Sequence, residues 1–255
     1  MINPAETIGL IWAAKISDAF TKWAKQEQKS RTIKITPFDP SLLIDGAFYE
    51  AGKVSLTEMG KLLGMGVRFD LRSKEAESWI SNYAADQIKY ISTTQQQAIR
   101  QIKLRAFQEG LTIQEQRTLI KQNIGLLPQH IIAVQNYKDS LVDLDQATVD
   151  QMGNRYANHL LNYRANMIGI TEGMSASNNG RRISNEDAVD RGILDPGEVE
   201  QKWVTSKLGN VCDECRKMDG KKTDIGGTFA TDEGTLDGPP LHPHCKCGTV
   251  LVKKE

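Results

Sequence analysis

The chain has 255 residues, and its 32 Lys and Arg are balanced by 32 Asp and Glu, so the formal net charge is zero. That balance argues against a dedicated nucleic-acid-binding domain, which is normally basic as a whole, although a zero sum still leaves room for local basic patches. Aromatic residues at 6% are too few for a large aromatic-rich β core, and the length is that of one or two domains with a real core.

Taken in chain order, the first apolar stretch, Ile8 to Ala14, is broken by Lys15. It falls far short of the ~20 residues a bilayer crossing requires. No basic leader with a cleavage site accompanies it. A soluble, unsecreted protein with no membrane partner is expected. Residues 1 to about 35 read as an amphipathic helix, with Ile8, Ile11, Trp12, Ile16, Phe20 and Trp23 at three- and four-residue steps. From Pro37 to Gly66, two prolines and a series of glycines punctuate the pattern and predict an extended arm with one short helix begun at Ser55 or Thr57.

From Lys74 onward the chain reads as short helices. Thr112-Ile-Gln-Glu115 is a capping box, in which the Thr hydroxyl accepts from a first-turn N–H and the Glu reaches back. Gly125 stops that helix, and Pro128 suits the first turn of the next, through Ile131, Ile132 and Tyr137. A long helix is predicted from Gln146 to about Gly180, burying Met152, Tyr156, Leu160, Tyr163, Met167 and Ile170, with Ser184 to Asp187 capping a separate short helix. Asp143, Asp145 and Asp150 favour a helix N-terminus over a cation site. Strands are expected at Val199–Leu208 around Trp203 and at Gly248–Val252. The division is therefore 1–73, N-terminal helix and arm; 74–195, helical domain; 196–255, Cys/His module. The fold class is mainly α, a helical bundle of short hairpins with a small C-terminal α+β module whose β-hairpin is stapled by zinc.

All four cysteines lie between Cys212 and Cys247. Cys212-Asp-Glu-Cys215 has the spacing of a zinc knuckle, whose turn lets two thiolates converge while backbone N–H groups donate to the sulfurs. Downstream, His242-Pro-His244-Cys245-Lys-Cys247 offers two imidazoles and two thiolates within six residues. A tetrahedral Zn²⁺ takes two ligands from each end: Cys212, Cys215 and Cys245 with either Cys247 or His242. Paired disulfides and free thiols are the alternatives, and in an unsecreted chain the clustering favours metal. Walker A, GxSxG, HExxH and dinucleotide fingerprints are absent. His130 and His159 lie on separate helical segments with no nucleophile beside them.

Several ordered blocks resemble the phage Mu F-like head morphogenesis proteins, the minor head proteins of tailed phages and prophages. They are Tyr163 to Thr171-Glu172, Lys202-Trp203, Val211-Cys212-Asp-Glu-Cys215, Asp219-Gly220-Lys, and Pro239-Pro240-Leu-His242-Pro243-His-Cys245-Lys246-Cys247. Lys246 stands where the family usually has Arg, which keeps the charge and loses the bidentate fork. The resemblance implies a non-enzymatic virion protein, sited inside the head near the portal vertex and in host cytoplasm during assembly. Its implied partners are the portal protein, capsid or scaffold protein, and packaged DNA through local contacts. A metal-dependent His-Asn-His-type nuclease is the alternative, and it needs a histidine base beside a catalytic ion. For an ADP-ribosyltransferase, no Glu-x-Glu motif stands beside a recognisable nicotinamide pocket.

Overall fold

The computed structural model describes residues 4–29, 37–64, 75–76, 78–79, 82–83, 90–95, 97–98, 101–102, 118–120, 122–206 and 211–254. Four longer helices account for most of them: α1, Pro4–Lys29; α2, Ser41–Leu63; α3, Pro128–Asp139; and α4, Gln146–Asp190. The protein is mainly helical, with a small antiparallel sheet toward the C-terminus. No described helix is long and apolar enough to cross a membrane. The chain divides into two compact units, one of Met1–Ile16, Ser41–Tyr83 and Met167–Glu255, the other of Ser17–Pro40 and Ala84–Asn166.

In the second unit, Phe20, Trp23 and Phe38 pack ring on ring, with centroids 5.1–5.7 Å apart. Arg164 is buried beside them. One Nη donates to the carbonyl of Gly125 at 2.7 Å and the other to the Thr94 hydroxyl at 2.8 Å. Burial lowers its guanidinium to about 10. Gly125 sits at φ 88°, where L side chains are strained, and its N–H donates to Gln95 Oε1. Pro128 opens α3 after Leu127, as expected. Asp145 caps α4 by accepting from the Thr148 N–H at 3.0 Å, which agrees with the helix-terminus reading of that residue. The capping box at Thr112–Glu115 lies outside the described residues.

The first unit corrects two expectations. In place of an arm with one short helix, residues 41–63 form the continuous helix α2, which buries Ile44, Ala47, Phe48, Ala51, Leu56 and Met59. Gly46 lies within α2 at a point where the Trp12 ring fills its side-chain space, with Cη2 only 2.2 Å from where a Cβ would stand. Likewise α4 passes through Gly180 and Ser184 without a break and ends at Asp190. The αL glycine Gly192, at φ 68°, and the bond from Ile193 N–H to Ala188 carbonyl close it.

Burial also shifts the expected core stripes. Ile11 is half exposed on α1, and Ala13 is buried instead. Tyr163 is likewise more than half exposed on α4, whose buried face carries Val149, Ala157, Leu161 and Ala165. Small residues let neighbouring elements approach closely, and an apolar-period count undervalues them.

After α4 the turn Asp195-Pro196-Gly197 is closed by Gly197 N–H on Asp195 Oδ1. Strand β1, Val199–Val204, is the centre of a three-stranded antiparallel sheet between β2, Lys222–Thr223, and β5, Gly248–Lys253. Trp203 stands opposite Thr249 in that sheet. The six-residue helix α5, Asp213–Met218, follows β1, and β3, Phe229–Thr231, pairs with β4, Gly234–Leu236. Alternate residues Val199, Gln201 and Trp203 face inward, as period two requires. The fully buried Trp203 meets Phe229 edge-on at 5.2 Å. Met218, Cys215, Cys245 and Cys247 complete that small core.

Candidate metal centre

Cys212 is the N-cap of α5, and its Sγ accepts from the Cys215 N–H at 3.3 Å. This is the knuckle geometry expected from the CxxC spacing. The second ligand segment enters the same place from Pro240 toward β5, with Cys245 N–H bonded to the His242 carbonyl. His244 between them adopts φ 66°, an uncommon αL turn for a residue bearing a Cβ. That turn separates the directions of His242 and Cys245.

Four of the donor atoms form close pairs. His242 Nε2 lies 3.1 Å from Cys212 Sγ and 3.2 Å from Cys215 Sγ, and Cys215 Sγ lies 3.6 Å from Cys245 Sγ. His242 Nδ1 is 2.8 Å from the Pro243 carbonyl, which can only accept, so Nδ1 carries the proton and Nε2 presents its lone pair to the two sulfurs. Among the described residues the potential ligands fall into two triads, Cys212–Cys215–His242 and Cys215–Cys245–Cys247, each with donor atoms within 4.8 Å of one another. Cys215 belongs to both. Cys212 is exposed, whereas Cys215, Cys245 and Cys247 are buried. All four are free thiols in the structure.

The electrostatics differ from thiol to thiol. Burial pushes the Cys215 thiol up, and the neighbouring Cys245 sulfur adds to the shift. Cys245 is pulled down to about 5, chiefly because the Cys247 thiol donates to its sulfur. Burial works against ionisation of Cys212, but the Cys215 N–H stabilises its thiolate, and the thiol lies below its usual range. A site of this donor chemistry, thiolates with one imidazole and no carboxylate, suits a soft or borderline divalent ion.

A cavity of about 430 Å³ opens beside these groups, with Ser206, Val211, His244 and Lys246 on its walls. The nuclease alternative gains no support from this geometry. The imidazole it would use as a base, His242, is turned onto two sulfurs, and the clusters contain no Asp or Glu among the described residues. His130 packs edge-on against Tyr163, with its imidazole lowered by burial, and His159 is exposed. Neither belongs to either triad.

Two contacts to the ligand segment come from α4 and had no signal in the local pattern. The His244 N–H donates to Thr171 Oγ1 at 3.0 Å, and Asn178 Nδ2 donates to the Cys247 carbonyl at 3.0 Å. Thr171 figured only within a block of family resemblance. Asn178, read alone, is one more polar residue in a long helix.

Comparison with curated proteins and with solved structures yields no match. A family description, phage Mu protein F like protein, does match residues 97–250, a span that takes in α3, α4 and every candidate ligand. The chain therefore belongs to the phage Mu protein F like family, a family of phage head morphogenesis proteins.

Proposed function

We propose that this chain is a minor head protein of a tailed phage or prophage that associates with the portal and acts in head assembly, DNA packaging or ejection without enzymatic turnover. The observation that carries the reading is the family match over residues 97–250. Inside the head, near the portal vertex, capsid or scaffold protein would be secondary partners. Packaged DNA would be touched only locally, as the zero net charge accords with.

The C-terminal module is held by one structural zinc ion. Zn–S bonds of about 2.3 Å and Zn–N bonds of about 2.0 Å put tetrahedral edges at roughly 3.5–3.8 Å. Three of the six edges, at 3.1, 3.2 and 3.6 Å, are close to that length, while Cys245 lies outside the Cys212–Cys215–His242 triad and would be drawn in by the ion. His242, with its lone pair already directed at Cys212 and Cys215, is favoured over Cys247 as the partner of those residues and Cys245. In that arrangement the Cys247 thiol stands behind Cys245 and donates to its sulfur. The ion would supply cross-linking of α5 to the segment entering β5, and four protein ligands leave no open position for activating water.

The test is co-expression with the cognate portal protein, followed by size-exclusion chromatography and by analysis of purified heads. Co-elution with the portal, retention in heads, and no cleavage of plasmid DNA with Zn²⁺, Mg²⁺ or Mn²⁺ are expected. Failure to co-elute together with absence from heads would overturn the portal reading. Metal-dependent DNA cleavage lost on His242→Ala would instead revive the nuclease.

A further inference from the structure

The metal-ligand segment is held from outside by one face of α4. Thr171, Asn178 and Arg181 follow one another at steps of seven and three, which lie on one side of a helix. They bond the main chain of residues 244, 247 and 249 in the same order. Thr171 Oγ1 accepts from the His244 N–H at 3.0 Å. Asn178 Nδ2 donates to the Cys247 carbonyl at 3.0 Å, and Arg181 Nη2 donates to the Thr249 carbonyl at 3.3 Å.

The orientation of the first two is enforced. The Thr171 hydroxyl gives its only proton to the Met167 carbonyl, 2.8 Å away, so what it offers His244 is a lone pair. Asn178 Nδ2 also donates to the Met174 carbonyl at 2.9 Å, so both amide protons are used. A flipped amide would set its oxygen against two carbonyl oxygens. These bonds land one and two residues from Cys245, on either side of it, and the first is at the αL turn of His244, two residues from His242. A loop with few apolar residues would otherwise have to be ordered by the ion itself, at a cost taken from the binding free energy.

We infer that Thr171 and Asn178 are positioning residues for the metal centre, pre-setting the His242–Cys247 segment so that its ligands reach Cys212 and Cys215 with less reorganisation. The inference rests on the zinc reading above. Groups that hold ligands in place from outside commonly contribute 10- to 100-fold in metal affinity. Coupling is reciprocal, so loading the metal also tightens the grip of the segment on α4.

The experiment measures zinc affinity of the full chain by competition with a chromophoric chelator, and the absorption of the Co²⁺-substituted protein. Thr171→Val removes the acceptor with almost no change in shape, and Thr171→Ser restores it. Asn178→Leu removes the amide. The expected result is one zinc per chain in every variant, with affinity weakened roughly 10-fold or more in Thr171→Val and Asn178→Leu. Thr171→Ser should lie within about threefold of wild type, and the tetrahedral cobalt bands should shift only in the first two. The control is Asn179→Ala, on the same helix, whose amide donates to the Ser175 carbonyl and not to the ligand segment. Unchanged affinity in Thr171→Val, or an equal loss in Asn179→Ala, would overturn the inference while leaving the zinc reading intact. A wild-type chain that binds neither zinc nor cobalt would overturn both. Should Asn178→Leu fold poorly, Thr171→Val and its Ser rescue decide the matter.

Discussion

Gly180 lies directly beneath the main chain of Phe48: a Cβ on it would stand 2.2 Å from the Phe48 carbonyl oxygen and 2.9 Å from the carbonyl carbon. Helix α4 and helix α2 thus meet backbone to backbone at this point. The obstacle is main chain and cannot swing aside. Gly180→Ala should therefore destabilise the protein by about 1–3 kcal/mol, the range for overpacking, despite a helix-propensity gain of about 1 kcal/mol. Gly153 supplies the contrast, because a Cβ there meets only the flexible Lys138 side chain. Lys138 can withdraw at the expense of its pair with Asp150, so Gly153→Ala should be neutral or stabilising by up to about 1 kcal/mol. Urea denaturation of the two variants should give opposite signs or, at least, a clear order. Equal midpoints would show that α4 yields at Gly180.

Glu172 predicts a pH dependence. Its carboxyl is buried, one oxygen has no hydrogen-bond partner among the described residues, and burial raises it to about 7 despite the Tyr83 hydroxyl bond. Below about pH 4.5 the group is protonated in both folded and unfolded chains, and its contribution is fully present. As pH rises toward 7 the unfolded chain gives up a proton that the folded chain retains, so stability falls. Above 7 the folded protein carries a buried carboxylate, and the loss is complete at roughly 3 kcal/mol. Glu172→Gln should flatten that part of the profile and exceed wild type in stability at pH 8. The check is the difference in urea midpoint between the two proteins from pH 4.5 to 8, and a constant difference would show that Glu172 titrates normally.

Arg181 and Glu58 make a third prediction. The guanidinium is 1% exposed, and its Nη2 lies 2.7 Å from Glu58 Oε2, while the Glu58 side chain is 31% exposed. Glu58→Gln leaves a buried cation facing a neutral amide, at an expected cost of about 2–3 kcal/mol after allowance for Glu58's partial exposure. Arg181→Met should cost less in the Glu58→Gln background than in wild type. A double-mutant cycle measures the coupling, and additive single effects would mean that the ion pair contributes nothing.

The same physics explains which parts of the protein were legible in its sequence. The clustering of the candidate ligands could be read because CxxC and the His-Cys run are local patterns, set by the reach of two or three peptide units. The choice between His242 and Cys247 as the fourth candidate could not be read, because it depends on how the His242 ring is rotated and on its contact with the Pro243 carbonyl. Helix α2 was obscured by Gly46, Gly52 and Gly60, which look like breaks in isolation. Its period was nonetheless present in Ile44, Ala47, Phe48, Ala51 and Leu56, which are buried. Gly46 serves the Trp12 ring and Gly180 the Phe48 carbonyl, across separations that no window of sequence spans. Thr171 and Asn178 were hidden for that reason too, since their partners lie 73 and 69 positions away.

Cys215 tests the module as a whole. It is buried, is common to both ligand triads, and its N–H bonds Cys212 Sγ. Cys215→Ser keeps the size of the side chain but replaces a soft thiolate by a hydroxyl that competes poorly for zinc. Since metal binding and folding are linked, the residues from about 199 onward should lose their order while the rest of the helical protein remains folded. The small core around Trp203, Met218 and Phe229 would not hold the long loops alone. Limited proteolysis should release the C-terminal segment from the variant and spare it in wild type, and chelation of the wild-type protein should reproduce the variant's pattern. Free-thiol titration of wild type should read four reactive thiols only after chelation. If the variant's C-terminal segment resists protease as well as the wild type's, the ion is not what holds β1, α5 and β5 together. Trp203 and its neighbours would then carry the module by packing alone.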